Sequence, residues 1–343
     1  MNVLILGPQV PYVRGGAEIL MRSLRDKIAE AGHRVDIVTL PFRWTPKADL
    51  LKNCMAWRLI NLDEMSGETI DCVISTKFPS YLIEHPRKRL WLVHQFREAY
   101  EYYTTRFSSF QNEVYDNEVR DALIRLDNVG IRKCERIYTI SKNVSERLAK
   151  YNGIPSSPLY PPPHLGDRYR CDTFEDFVLV VGRLEWNKRT ELVIEAMKHV
   201  PEPSSCVIVG EGSIRKKLEI FAIECGVEQR VRFAGEIGDD ELLDLYASCG
   251  CVFYGPLDED YGYVTIEAMK SRKPVITCTD SGGTLEFVRD AENGLVVPAD
   301  PRTVGDAVKR LLGDKTYARG LGARGVDAVS GIGWDPVLTA LLG

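Results

Sequence analysis

Apolar positions along this chain fall into short continuous runs that alternate with stretches of helical spacing. Val3 to Leu6 is one such run, ending in Gly7-Pro8, the pattern of a parallel strand covered on both faces. After Gly15-Gly16, Ile19, Leu20, Leu24 and Ile28 recur on one face, which predicts a helix over 17–31 stopped by Gly32. Val35 to Leu40 is the next run. A strand, helix and strand in this order imply a doubly wound α/β sheet. Further runs at Cys72 to Ser75, Leu90 to Val93 and Ile137 to Ile140 each end in a polar residue, Thr76, His94 and Ser141. If these strands are parallel, the three residues share the carboxyl edge, where ligands gather in open sheets.

Tyr160-Pro161-Pro162-Pro163 reads as a stiff, extended linker, since proline fixes its backbone and donates no ladder hydrogen bond. Beyond it the alternation resumes. Strands are expected at Phe177 to Val181, Cys206 to Val209, Val231 to Ala234, Cys251 to Tyr254, Val275 to Cys278 and Leu295 to Val297. Helices are expected at Thr190 to His199, Ser213 to Cys225, Asp239 to Cys249, Asp300 to Leu312 and Thr316 to Val329. The last stretch sets Trp334, Leu338, Leu341 and Leu342 on one face, with little nearby to pack on. At 343 residues the chain is long for a single core, so the division is 1–160, 161–325 and a terminal segment 326–343.

Composition narrows the function. Hydrophobic residues make up 44% and charged residues 27%, and the net charge of −5 argues against a nucleic-acid partner, which usually calls for a basic excess. Nine cysteines without a CxxC pair, several inside apolar runs, suit buried reduced thiols in the cytoplasm. No apolar run reaches the length of a membrane span, and MNVLILGPQVP lacks the basic start and long apolar core of a signal peptide.

The chemistry concentrates in PLDEDYGYVTIEAMKSRKPV, from Pro256 to Val275. Glu259 lies in a loop after a strand, and Glu267 follows in the first turns of a helix. Such a helix start favours an anion, and two carboxylates can take the protons of vicinal hydroxyls. A nucleotide sugar offers diphosphate, ribose diol and hexose hydroxyls together. Arg183 and Lys188, in GRLEWNK after the strand ending VLVVG, suit a pyrophosphate whose leaving charge must be neutralised; read alone, they are equally well two solvated loop charges. Gly15 and Gly16 form either a plain turn or a close-approach loop, and the dinucleotide fingerprint G-x-G-x-x-G is absent there.

The E-x7-E spacing around Tyr261-Gly262, with GGTLEFV and NGLVVPAD downstream, resembles the donor site of retaining GT-B glycosyltransferases of family 4, the glycosyl transferases group 1. The likeness extends over most of the chain and is strongest from Phe177 to Asp300. It implies two Rossmann-like domains facing across a cleft, an N-terminal acceptor-side domain, a C-terminal donor-binding domain and a last helix that crosses back to the first. By resemblance Arg183 and Lys188 hold the donor diphosphate, with Gly15 and Gly16 facing it. Glu267 takes the ribose and Glu259 the transferred sugar, beside the amides of Tyr261, Gly262 and Tyr263. Gly210 approaches the donor, the backbone near Ile237 meets the base, and Gly282-Gly283 forms a double-glycine loop with Glu286 at a helix start. His94 matches a functionally important family histidine; Gln95, Arg97 and Glu98 are weaker acceptor-side candidates. The aromatic segment after His94 is expected to be a mobile cover over that side.

Two departures stand out. Arg272-Lys273 replaces the usual glycine before Pro-Val, and Asp258-Glu259-Asp260 formally matches the D-x-D metal motif of a different glycosyltransferase fold. No metal or other cofactor is expected. Arg87, Lys88 and Arg89 before Trp91 could seat the first domain peripherally on an anionic membrane bearing a lipid-linked acceptor, against the plainer reading of a solvated cluster. The acceptor is otherwise a glycan or small molecule. Rival functions are nucleotide-sugar epimerisation and a non-catalytic donor-binding subunit of a polysaccharide complex.

Overall fold

The structure is a computed structural model and describes residues 1–12 and 15–343. The chain divides into two compact units, Met1–His164 with Gly333–Gly343, and Leu165–Ile332. The first division thus falls after His164 rather than after 160, because Pro161, Pro162 and Pro163 are buried instead of forming an exposed spacer. The return to the first unit starts at Gly333 rather than 326, because the preceding helix runs on to Val329.

In the first unit the strands are β1 (Asn2–Gln9), β2 (Arg34–Pro41), a short hairpin of β3 (Glu64–Met65) and β4 (Glu68–Thr69), β5 (Cys72–Ser75), β6 (Lys88–Leu92), β7 (Arg136–Thr139) and β8 (Ser157–Pro158). The main sheet runs β2-β1-β5-β6-β7-β8 with parallel pairings, so Thr76, His94 and Ser141 do follow adjacent strands at one edge. Helix α1 (Gly16–Glu30) buries Leu20, Leu24 and Ile28 as its spacing predicts. Three further helices escape the strand pattern: α2 (Ala48–Leu59), α3 (Val114–Arg132) and α4 (Lys142–Asn152). Helix α2 buries Leu50, Cys54 and Trp57, one face at helical spacing.

Strand β6 begins two residues earlier than its apolar run, and the reason corrects the reading of the basic cluster. Lys88 and Arg89 are each 1% exposed. The Lys88 ammonium donates to the carbonyls of Tyr81, Ile83 and Gly130 at 2.8, 2.9 and 3.1 Å. Arg89 donates to the carbonyls of Leu341 and, at 3.2 Å, Gly343, while Arg136 donates to Ala340 O at 3.1 Å. These carbonyls end the last helix, α11 (Trp334–Leu342), where cations best meet the orphan acceptors and the negative end of the dipole. Trp334 adds an edge contact with Trp91, ring centroids 6.5 Å apart. Arg89 therefore docks the terminal helix while Lys88 ties β6 to carbonyls beside it, and of the three cations Arg87 alone is exposed. No helix among the described residues is long and apolar enough to cross a membrane.

The segment after His94 is anchored rather than a loose cover. Phe110 is fully buried, Glu98 accepts from the backbone and hydroxyl of Ser109 at 2.8 and 2.7 Å, and Asp116 pairs with Lys47 at 2.5 Å. Behind it lies a buried polar chain. Gln95 donates to Asn152 Oδ1, Asn152 donates to the Tyr100 hydroxyl at 3.3 Å, and Tyr100 donates to Asp127 Oδ2 at 2.6 Å. The loop carrying His94 is thereby fastened to α3 and α4.

The second unit contains β9 (Phe177–Val181), α5 (Thr190–Ala196), β10 (Ser205–Val209), α6 (Arg215–Glu224), β11 (Val231–Gly235), α7 (Asp239–Ser248), β12 (Cys251–Phe253), α8 (Tyr263–Lys270), β13 (Val275–Cys278), β14 (Gly294–Val297), α9 (Pro301–Gly313) and α10 (Lys315–Val329). Its sheet is parallel, in the order β11-β10-β9-β12-β13-β14. Helix α8 closes without glycine: Arg272 adopts φ +54°, and the amides of Arg272 and Lys273 return to Met269 O and Ala268 O at 2.9 Å each. Lys273 is fully buried, its ammonium on Thr173 O and 3.9 Å from the centre of the Phe174 ring. The nine cysteines are all unpaired thiols.

Asp127 gives the first unit a measurable pH signature. Its side chain is fully buried, Oδ1 has no hydrogen-bond partner, and burial pushes its carboxyl up to about 7. The folded chain therefore holds this proton more tightly than the unfolded chain, so its contribution to stability is complete below about pH 4 and is lost as pH rises through about 7. In urea titrations, Asp127→Asn should gain stability relative to the parent chain as pH is raised from 5 to 8. A difference that does not change with pH contradicts this reading.

Candidate active site

The order of the second sheet fixes where its site lies. The chain winds outward from β9 through β10 to β11, then crosses to β12 on the other side of β9. Loops leaving β9 and β12 diverge at the carboxyl edge and open a crevice, the ligand position of doubly wound sheets. The first loop carries Arg183 and Lys188, and the second carries Glu259. Across the crevice Lys188 Nζ meets Glu259 Oε2 at 2.5 Å and the Tyr254 hydroxyl at 3.2 Å. Both charged side chains are about 15% exposed, at 16% and 15%, so the pair is poorly screened yet reachable. Exposed Arg183 lines the same hollow with Lys188, Gly182, Thr190, Tyr254 and Gly255.

Arg189, unremarked in the sequence, explains why the loops meet. It is 8% exposed and holds φ +53° at the N-cap of α5. Its guanidinium donates to Gly255 O at 2.8 Å and Pro256 O at 2.9 Å, then takes both Asp280 oxygens at 2.8 and 2.6 Å. One side chain thus joins the loops after β9, β12 and β13. The guanidinium holds the Asp280 carboxyl below its ordinary range. Main-chain bonds complete the stitching: Leu257 N donates to Asn187 O, Asp258 N to Asp280 O and Gly283 N to Glu259 O.

Helix α8 starts at Gly262, φ +87°, with no side-chain cap. A Cβ there would stand 2.9 Å from Tyr254 and Thr284, which excludes larger residues on two counts. Glu267 in this helix is 6% exposed and accepts from the Tyr246 hydroxyl at 2.8 Å. The Tyr254 hydroxyl is pushed well above its usual range by burial first, then by the charges of Glu259 and Glu267, so both carboxylates act on one phenol. Tyr261 and Tyr263 pack edge to face at 5.2 Å beside them. Arg183, Lys188, Glu259 and Glu267 are thereby brought to one edge of one sheet. Among the described residues no group of three His, Cys, Asp or Glu side chains is placed to hold a metal ion.

Other expected residues have local reasons to be as they are. A Cβ on Gly210 would fall 2.1 Å from Gly182 O, and the Gly210 amide already donates to Gly235 O. Gly283 is held against Asp260 O, where a Cβ would approach to 2.6 Å; Glu286 ends a short 3-10 turn instead of starting a longer helix. Ile237 is half-buried in the loop between β11 and α7.

In the first unit, Gly15 and Gly16 begin α1 beside the switch between β1 and β5. The Gly15 amide donates to Glu18 Oε2 at 2.9 Å, and Lys77 pairs with Glu18 Oε1 at 2.8 Å, so this helix start already holds a carboxylate. Half-buried His94 directs Nδ1 to Gln95 O at 2.6 Å. Arg97 pairs with Glu101, and Ser141 caps α4 by accepting from Val144 N at 3.0 Å.

Residues 169–326, within the second unit, match the family described as glycosyl transferases group 1. A GDP-mannose-dependent alpha-(1-6)-phosphatidylinositol monomannoside mannosyltransferase of Mycobacterium tuberculosis is 31% identical over 230 residues, 59% of each chain. The second unit carries a glycosyl transferases group 1 segment. The chain spans between about a third and three fifths of the length of curated relatives it matches, 36% in one case and 59% in another. Its fold is that of sucrose-phosphate synthase from Thermosynechococcus elongatus (TM-score 0.81, 20% identity, 99% of this chain and 97% of the other) and of Anabaena HepE, solved with UDP and glucose (0.73, 16%, 99% and 97%). The fold class is GT-B, two Rossmann-like α/β units.

Within the group 1 segment, Arg189 is the residue that sequence reasoning missed. The available signal was a bulky cation placed directly before a helix, where the turn needs a left-handed residue. Arg189→Lys keeps the charge but loses the planar fork. Thermal or urea unfolding should show a loss of about 2 kcal/mol, as charge-assisted bonds to two carbonyls and a carboxylate are weakened. Unchanged stability would remove Arg189 from this role.

Proposed function

We propose that the chain is a retaining glycosyltransferase that moves a sugar from a nucleoside diphosphate sugar to an acceptor hydroxyl. The observation carrying this reading is the Lys188–Glu259 pair at the sheet's switch point, with Arg183 lining the same hollow, inside the group 1 segment. Arg183 and Lys188 are assigned to the diphosphate. As the bond between the anomeric carbon and the phosphate oxygen breaks, negative charge grows on the leaving group, and fixed cations stabilise it without reorganising. With that charge met by side chains, the reaction needs no divalent metal, and activity is expected to persist in chelator.

Glu259 takes hydroxyls of the transferred sugar while its bond to Lys188 links sugar orientation to leaving-group stabilisation. Glu267 takes the ribose diol, and the backbone around Ile237 the base. His94 is assigned a role at the reacting centre. A GDP-mannose-dependent relative and a structural neighbour holding UDP and glucose support a purine or pyrimidine nucleoside diphosphate sugar as donor. The acceptor belongs to glycan or glycoconjugate synthesis, and the working compartment is the cytoplasm.

Purified protein, incubated with an α-linked donor and a panel of acceptors, should give α-linked product; a β-linked product ends the retaining assignment. Lys188→Ala should lower kcat/KM about a hundredfold, as expected for removal of one electrostatic stabiliser. Donor turnover without acceptor would favour epimerisation, and donor binding without turnover a non-catalytic subunit.

A further inference from the structure

Glu267 is a buried carboxylate whose environment is phenolic. Tyr246 on α7 is fully buried and donates to Oε2. Tyr169, just after the start of the second unit, is 8% exposed, and its ring meets that of Tyr246 at 6.1 Å and 76°. Its hydroxyl is buried and is directed at Glu267. Burial first, and the Glu267 charge next, push the Tyr169 phenol far above its usual range, which sets the two groups close together and keeps the phenol protonated. The Tyr246 phenol is pushed up by the same causes in the same order.

A carboxylate oxygen holds two lone pairs, so accepting from Tyr246 fixes the plane of the Glu267 carboxylate without exhausting it. We propose that Tyr246 and Tyr169 form a phenolic brace that orients Glu267 and makes donor binding selective for a cis-diol. The brace rests on the nucleoside diphosphate sugar reading and adds the residues that set its ribose selectivity. Tyr246 is a positioning residue, acting through Glu267. Tyr169 is a second positioning residue, its hydroxyl set toward Glu267 and its ring against Tyr246.

Calorimetric titration of the full chain separates the possibilities, with uridine and guanosine diphosphates and their 2′,3′-dideoxy forms as probes. The parent chain should bind at least one ribonucleotide and bind its dideoxy form at least tenfold more weakly. Tyr246→Phe should weaken the ribonucleotide about tenfold and Tyr169→Phe several-fold, while neither changes affinity for the dideoxy form. In turnover, KM for the donor should rise with kcat unchanged. Equal losses for both nucleotide forms would mean that the tyrosines only support the fold, which overturns the brace while leaving the donor assignment intact. Failure of the parent chain to bind either ribonucleotide would overturn the donor assignment and the brace with it.

Discussion

The second unit depends on a single guanidinium. Three loops leave β9, β12 and β13 at the same edge, and nothing in a parallel sheet obliges loops to stay together once the strands end. Arg189 supplies that constraint, with two main-chain carbonyls on one side and Asp280 on the other. It does so from a left-handed backbone position, which costs a side-chain-bearing residue about 1 kcal/mol or more. The four hydrogen bonds offset that cost. Lys188 is the preceding residue, so its ammonium is carried by a backbone held on both flanks, and Glu259 rises from the loop that Arg189 grips.

This arrangement gives Lys188 two partners of opposite use. Its charge is met by Glu259 and the Tyr254 hydroxyl. On the proposed reading an incoming diphosphate shares that cation, and Glu259 turns part of its acceptor capacity to sugar hydroxyls. The low exposure of both groups strengthens these electrostatic terms and makes the site sensitive to small displacements of either loop.

The sheets were the most legible part of the sequence. Runs such as Cys72 to Ser75, Phe177 to Val181 and Val275 to Cys278 are continuous and apolar because parallel strands are buried on both faces. Less legible were α2, α3 and α4, whose apolar faces alternate with polar residues and, in α3, include the buried Asp127. Lys88 and Arg89 were misread because charge ordinarily signals exposure, and their partners are carbonyls contributed by Tyr81, Gly130 and a helix at the far end of the chain. At the site, the E-x7-E spacing and the GRLEWNK cations were visible as types, but the clamp by Arg189 was not. Its role depends on a backbone angle and on two distant carbonyls that carry no side-chain identity.

The most decisive experiment is a crystal structure of the chain with a nucleoside diphosphate sugar bound. The diphosphate is expected within hydrogen-bonding distance of Arg183 and Lys188, with the ribose diol on Glu267 and the sugar hydroxyls on Glu259. A diphosphate bound away from the loop that follows β9, or a ribose that leaves Glu267 without a ligand contact, would contradict it.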